Sequence, residues 1–298
     1  NSKRGKMHIL PSYGVNDLYS TDINSFMNNM LAIENVNYPY VIITPPHMIY
    51  RQDFSDLLDT HVESGADITI VYHEQEIPEG FTKVRDNSKG YYYTLQLDGN
   101  KVTKILVNSK DEGIQNFSLN IIIMDRELLI DLITEASLLG QEWVERDVLI
   151  PQINKLNIQG YKYDGYVACV SSIKTYFDEN MKLLDDYNQD ALFGKAPIYT
   201  KVRDDTPTRY ITGAKVSNIM AADGCIIEGE VENSILFRGV KIEKGAKVKN
   251  CILMQDTVVE KGADIEYLVT DKQVTITSGT EMKGTDSYPV YIAKFRTV

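Results

Sequence analysis

The feature that most constrains this chain is a repeat in its last third. Ile242-Glu243-Lys244-Gly245-Ala246-Lys247-Val248 returns as Val259-Glu260-Lys261-Gly262-Ala263-Asp264-Ile265. Asn233-Ser234-Ile235-Leu236-Phe237 returns as Asn250-Cys251-Ile252-Leu253-Met254 at the same interval. Val231, Val248, Ile265 and Met282 continue it. Within the repeat, Ile242 to Val248 and Val259 to Ile265 are steps of six. A period of about 17 to 18 made of three six-residue steps predicts a parallel β-helix, whose short strands and turns stack coil on coil. One apolar side chain per step then points inward. An ordinary β-sandwich is the competing architecture, and two motifs repeating at one interval disfavour it. The open ends of a short solenoid should stack against another domain or subunit.

The preceding part, to about residue 190, has a different pattern. Thr21 can cap a helix whose face is Ile23, Phe26, Met27, Met30 and Leu31. Val41-Ile42-Ile43, ended by Pro45-Pro46, reads as a buried strand. A helix from about Asp53 carries Phe54, Leu57, Leu58 and Val62 on one face and stops at Gly65. Ile68–Tyr72 is the next strand. This βαβ rhythm predicts an α/β domain with a mostly parallel sheet and helices on both faces. Segments 80–85, 91–97 and 101–107 read as antiparallel additions, with a turn at Asp98-Gly99-Asn100. Further helices are expected near 126–137 and 171–186. The expected organisation is an α/β domain over 1–190, a surface linker over 191–212 and a left-handed parallel β-helix of hexapeptide repeats over 213–298.

Several function classes are disfavoured. A net charge of −11 argues against non-specific binding to nucleic acid or to an anionic membrane, which needs clustered Lys and Arg. No apolar run reaches the roughly 20 residues of a membrane span, and no signal-peptide core follows the basic start. Cys169, Cys225 and Cys251 are widely spaced and form no CxxC pair, which reads as reduced cytosolic thiols. His8, His47, His61 and His73 lack the spacing of a helical zinc site.

Local stretches carry a family resemblance. Tyr50-Arg51-Gln52-Asp53-Phe54-Ser55-Asp56-Leu57-Leu58 through Asp67 is similar to the segment after the central strand of ADP-glucose pyrophosphorylases, the bacterial glucose-1-phosphate adenylyltransferases. Thr175-Tyr176-Phe177 with Asn180 and Leu183-Leu184 resembles that family's helix after its second metal motif. Leu149-Ile150-Pro151 resembles its late-strand approach. The layout, a Rossmann-like nucleotidyltransferase domain followed by a β-helix, is also the family's. The reaction this implies joins two anions: the phosphate of glucose 1-phosphate attacks the α-phosphate of ATP. Catalysis then rests on alignment and charge neutralisation by Mg²⁺ and basic side chains.

The chain departs from the family where that chemistry is done. The first metal context reads Thr44-Pro45-Pro46-His47-Met48, with His47 at the family's Asp position, or Pro46 under a one-residue shift. The second reads Ala168-Cys169-Val170-Ser171, with Cys169 for Asp and Ala168 for Arg. Neither histidine nor thiol is a hard oxygen ligand for Mg²⁺. The Phe-Val-Glu-Lys-Pro sugar-phosphate motif corresponds to Ile105-Leu106-Val107-Asn108-Ser109. Ser-Met-Gly corresponds to Ser118-Leu119-Asn120, and the Asp-Phe-Gly helix entry to Trp143-Val144-Glu145-Arg146. The family's opening strand and Gly-rich phosphate loop have no counterpart, since Gly5 and Gly14 are isolated; the chain is expected to be a piece that begins after them.

The resemblance thus implies a catalytically silent chain, closest to the family's regulatory, non-catalytic D-type subunit of glycogen biosynthesis, in the cytoplasm. It implies a vestigial substrate cleft formed by Thr44, His47, Asn108, Ser118, Asn120 and Cys169, with no metal and no catalytic residue. Mg²⁺ would serve the catalytic partner. The implied partner is a catalytic subunit in a heterotetramer, or further copies of the chain in a homo-oligomer when alone, and the implied ligand is a sugar phosphate or nucleotide. Each position also has a plainer reading: His47 as a core or capping histidine, Cys169 as a small buried residue, Asn108 as a turn residue, Glu145-Arg146-Asp147 as a solvated helix start. The competing functions are an active nucleotidyltransferase with a redesigned site and a pure scaffold. A β-helix acyltransferase would need a histidine between coils, and none follows His73.

Overall fold

In a computed structural model the described residues are 21–78, 91–194, 198 and 204–298. They divide into two compact units. The described part of the first is 21–46, 52–77 and 91–164; that of the second is 47–51, 78, 165–194, 198 and 204–298. Two expectations, the strand at 80–85 and the isolated glycines Gly5 and Gly14, lie outside the described residues.

The first unit opens with helices α1 (Asp22–Asn28) and α2 (Met30–Glu34). The Thr21 hydroxyl accepts the Asn24 N–H at 3.3 Å, satisfying one of the donors that a helix start leaves unpaired. Strand β1 (Tyr40–Ile43) follows, then β2 (Met48–Tyr50), which belongs to the second unit. Helix α3 (Phe54–Ser64) begins at the Asp53 cap and ends at Gly65, whose φ of 63° suits a residue without a Cβ. Strands β3 (Ile68–Gln75), β4 (Tyr93–Asp98), β5 (Lys101–Val107) and β6 (Gln115–Asp125) come next, then helix α4 (Arg126–Leu138). A π-helix (Val144–Leu149) runs into the short α5 (Ile150–Gln152), and β7 (Ile158–Lys162) completes the sheet.

The sheet order is β1-β6-β3-β7-β5-β4. Only β3–β7 is a parallel pair; the remaining ladders are antiparallel, which corrects the expected mostly parallel sheet. The reason is β6. Its nearly continuous apolar run inserts between β1 and β3, so those two strands point the same way without touching. Helices do cover both faces. Ile68, Ile70, Ile122 and Met124 pack with Ile23, Leu129 and Ile133 of α1 and α4. On the other face, His61 of α3 hydrogen-bonds the Thr69 hydroxyl through Nδ1 at 2.8 Å.

The second unit contains β2, β8 (Val167–Cys169), helices α6 (Ile173–Lys182) and α7 (Asp186–Phe193), and a parallel solenoid from β9 (Arg209–Tyr210) through β10 (Lys215–Ala221), β12 (Glu230–Leu236) and onward to β21 (Val290–Ile292). Val231, Val248 and Ile265 stack in register, one repeat apart and all buried. Ile242, Val259 and Ile276 do the same on a second side. The interval is shorter at the start, where Val216 pairs with Val231. It is longer at the end, where Val269 pairs with Tyr291, because a small hairpin closed by Thr285 and Tyr288 is inserted.

The repeated asparagine has a physical cause. Asn218, Asn233, Asn250 and then Tyr267 occupy equivalent corners with φ of 48°, 46°, 50° and 54°. Asparagine tolerates this left-handed backbone better than most residues. The side chains also form a ladder, Asn218 to Asn233 at 2.7 Å and Asn233 to Asn250 at 2.6 Å.

The boundary between units differs from the expectation of a domain to 190. It falls at Gly165, and α6 belongs with the solenoid. Phe177, 3% exposed, packs on the outward-facing Ile235, Ile252 and Val269, one from each coil. The expected linker is also shorter, since Ala191–Phe193 are helical and Arg209-Tyr210 already pair in parallel with Ile226-Ile227. The single helix expected over 171–186 breaks after Lys182, and Asp185 caps a second helix by accepting the Tyr187 N–H at 3.0 Å.

Candidate functional site

Two groups of the expected cleft residues come together, each within one unit. In the second unit, β2 and β8 form a two-stranded antiparallel ladder in which Met48 is opposite Cys169. The Val170 N–H donates to the His47 carbonyl at 2.8 Å. Residues 47 and 169, far apart in sequence, are therefore neighbours, as two halves of one metal site would have to be.

Their chemistry does not suit Mg²⁺. Cys169 is 4% exposed, and burial, then the nearby Glu179 carboxylate, push its thiol up to about 12. It is a protonated thiol at neutral pH. His47 is half-buried, and loss of solvent lowers its pKa, favouring neutral imidazole. A hard cation prefers anionic oxygen, so these two residues do not fit the Mg²⁺ that the family resemblance implies. Among the described residues no group of three or more His, Cys, Asp or Glu side chains is arranged to hold a metal ion.

In the first unit, β6 carries a bulge. Val71 pairs with Ile121 but Tyr72 pairs with Ser118, leaving Leu119 and Asn120 as extra residues. Bulges of this kind re-aim side chains and recur beside active sites. Asn120 has φ of 53° and donates its N–H to the Ser118 hydroxyl at 3.2 Å. Its side-chain oxygen is buried without a hydrogen-bond partner. Thr44 leaves the sheet at the same place, because Ile43, which precedes it, lies opposite Ile122. Asn108 sits at the end of β5 with φ of 48° and exchanges two bonds with Tyr92: its N–H to the Tyr92 carbonyl at 3.0 Å, its Oδ1 from the Tyr92 N–H at 3.1 Å. That oxygen already serves the backbone.

The expected solvated helix start at Glu145-Arg146-Asp147 is half corrected. Arg146 and Asp147 are an ion pair at 2.6 Å; Arg146 also donates to the Tyr91 hydroxyl at 2.9 Å and lies over the Tyr91 ring. The Arg146 bond holds the Asp147 carboxyl down at about 2. Glu145, however, is only 8% exposed, and burial raises its carboxyl to about 7. The signal was in the sequence: Glu145 shares a helical face with Val148 and Leu149, both buried. The sequence reading also missed a cavity of about 430 Å³ in the first unit, lined by Tyr40, His61, Asp67, Asp125, Leu128 and Asp131 among others.

A bulged α/β sheet in one unit and a hexapeptide solenoid in the other are the layout that the resemblance to sugar-phosphate nucleotidyltransferases implies. Residues 202–288 match a family model described as GlmU-like, C-terminal hexapeptide. Over 295 residues, 98% of this chain and 74% of the relative, the chain is 32% identical to the glycogen biosynthesis protein GlgD of Bacillus subtilis. It is 31% identical over 252 residues to the glucose-1-phosphate adenylyltransferase of Geobacillus stearothermophilus, covering 83% of this chain and 63% of that relative. With the GlgD of Geobacillus stearothermophilus it shares 32% over 210 residues, 70% of this chain and 49% of the relative. The chain belongs to the glucose-1-phosphate adenylyltransferase family and is a GlgD-like member of it.

Proposed function

We propose that this protein is a regulatory, catalytically silent member of its family, acting in bacterial glycogen biosynthesis beside a catalytic glucose-1-phosphate adenylyltransferase in the cytoplasm. One observation carries the reading. The two positions where the family resemblance expects acidic Mg²⁺ ligands hold His47 and Cys169, brought side by side by the β2–β8 ladder, and neither is an anionic oxygen donor. The reaction of the relatives brings two anions together, so its transition state depends on the metal and on basic partners. Removing a single preorganised charge partner costs about 3–4 kcal/mol. Here the two carboxylates, the arginine replaced by Ala168 and the Lys–Glu pair replaced at Val107-Asn108 are all missing.

A silent chain contributes through its partner. Mg²⁺ and turnover belong to the catalytic subunit, and the solenoid's open coil ends and the relatives' shared layout support assembly into a heterotetramer. The buried, unpartnered Oδ1 of Asn120 favours a cleft that still accepts a hydrogen-bond donor, such as a hydroxyl of a sugar phosphate or nucleotide. The test is co-expression with a catalytic homologue from the same genome, followed by size-exclusion chromatography and an ADP-glucose assay. Co-elution with altered turnover or effector response is expected. Separate elution with unchanged kinetics contradicts the proposal.

A further inference from the structure

The cavity of about 430 Å³ in the first unit lies away from the cleft residues. Tyr40 opens β1 and pairs with Asp125, the last residue of β6. Asp67 immediately precedes β3, whose first residue, Ile68, faces Met124. Three neighbouring strands thus bring Tyr40, Asp125 and Asp67 to one end of the sheet, and all three residues line the cavity. Thr44 follows the opposite end of β1. The last turn of α3 supplies His61, and α4 supplies Leu128 and Asp131, three residues apart and so on one helix face.

The wall suits a cation. Three of its side chains are carboxylates, and the described residues that line it include no Lys or Arg. Helix α3 ends there, and the carbonyl end of a helix carries partial negative charge. Asp125 Oδ1 accepts the Glu127 and Leu128 N–H groups at 2.8 and 3.4 Å, and Asp67 Oδ2 accepts the Asn157 N–H at 2.7 Å. Those bonds fix both carboxylates and leave each a second oxygen.

His61 points to a ligand independently of the acids. It is 2% exposed yet lines the cavity. Its Nδ1 is bound to the Thr69 hydroxyl at 2.8 Å, and its Nε2 has no hydrogen-bond partner among the described residues. A polar atom of so buried a side chain is normally satisfied. In the tautomer that donates the Nδ1 proton to Thr69, Nε2 presents a lone pair to an N–H donor. Burial favours that neutral ring, while the Asp125 and Asp67 carboxylates act on it in the opposite sense. The Tyr40 ring stands perpendicular to the imidazole, 5.5 Å between centroids, and adds an aromatic surface of the kind that attracts cations. Among the described residues no three His, Cys, Asp or Glu side chains are arranged to hold a metal ion, and the volume is that of a small-molecule site. The cation that fits is therefore an organic one that brings its own N–H donors.

We infer that this end of the sheet is a binding site for a small alkylammonium ion, whose N–H groups are taken by the Asp67, Asp125 and Asp131 carboxylates and by His61 Nε2, and whose alkyl body lies against Tyr40 and Leu128. The site is separate from the cleft, and it does not depend on the chain being a regulatory subunit.

The test is a titration of the full chain with 1,4-diaminobutane at constant ionic strength, read on the His61 ring signals by histidine-selective NMR. With four histidines in the chain, those signals are few enough to assign. The double variant Asp67→Asn, Asp131→Asn removes two charges and keeps an oxygen at residue 67 for the Asn157 N–H. Wild type should show a saturable shift of the His61 signals, and the double variant should bind roughly tenfold more weakly. The uncharged isostere 1,4-butanediol should give no saturable shift. Absence of a saturable shift with the diamine, equal affinity in the double variant, or an equal response to the diol overturns the site. If the double variant does not fold, the comparison of diamine with diol on the wild type decides by the same criteria.

Discussion

His47 and Cys169 are held one rung apart: the residue after Cys169 donates its N–H to the His47 carbonyl at 2.8 Å, and the residue after His47 faces Cys169 across the ladder. The two positions where the family resemblance expects acidic metal ligands are therefore neighbours, and neither holds a carboxylate. His47→Asp with Cys169→Asp should restore the donors. Without metal the double variant should be less stable than wild type, since it buries a carboxylate where Cys169 is 4% exposed. Added Mg²⁺ should then raise its melting temperature, by roughly 2–4 °C for each kcal/mol of binding coupled to folding. Thermal denaturation with and without Mg²⁺ checks this. A Mg²⁺ shift of the same size in wild type would show that the native residues already bind the ion.

Phe177 anchors α6 to the solenoid. Phe177→Ala should destabilise the second unit by about 3–5 kcal/mol, the usual cost of emptying an aromatic site in a core. Chemical denaturation measures it. A loss under about 1 kcal/mol would mean that α6 is held by Tyr176, Met181 and Leu184, which pack in the same cluster.

Asn120 tests why asparagine stands where the family has glycine. Its φ of 53° is inexpensive for glycine and tolerable for asparagine, and costs alanine about 1–2 kcal/mol. Asn120→Gly should be neutral or slightly stabilising, because it also removes a buried oxygen that lacks a partner. Asn120→Ala should destabilise. Equal stability of the two variants would contradict the backbone account.

The Arg146–Asp147 pair gives the acid limb of the stability curve. The Arg146 bond, with burial opposing it, holds Asp147 at about 2, below its ordinary 3.8. A depressed carboxyl contributes stability that is present above its unfolded value and lost as pH falls through its folded value. Urea denaturation from pH 5 to 2 should show a decline that is reduced in Asp147→Asn. An unchanged acid limb would show that the pair contributes nothing to folding.

The solenoid was legible because its rule is local. A constant repeat interval puts Val248 over Val231 whatever the rest of the chain does. Element ends marked by Thr21, Asp53 and Gly65 were legible for the same reason: a cap is read from a few neighbouring side chains. The sheet's strand order was not. Nothing local to Gln115–Asp125 says that this strand runs antiparallel between β1 and β3, because strand order is set by pairings between segments far apart in sequence. The allegiance of α6 was equally hidden, since Phe177 looks the same whether it packs on a sheet or on a solenoid. His47 and Cys169 were singled out by the family resemblance of the stretches around them, whereas the bulge that turns Asn120 and the burial of Glu145 depend on pairing and packing.

The central claim is silence, and the most direct measurement is synthesis of labelled ADP-glucose from ATP and glucose 1-phosphate with Mg²⁺, using the complete natural protein purified free of any catalytic homologue. The account expects no turnover above background, with activity changing only when the catalytic partner is added back. Steady Mg²⁺-dependent turnover by the isolated protein, abolished by His47→Ala or Cys169→Ala, would contradict it.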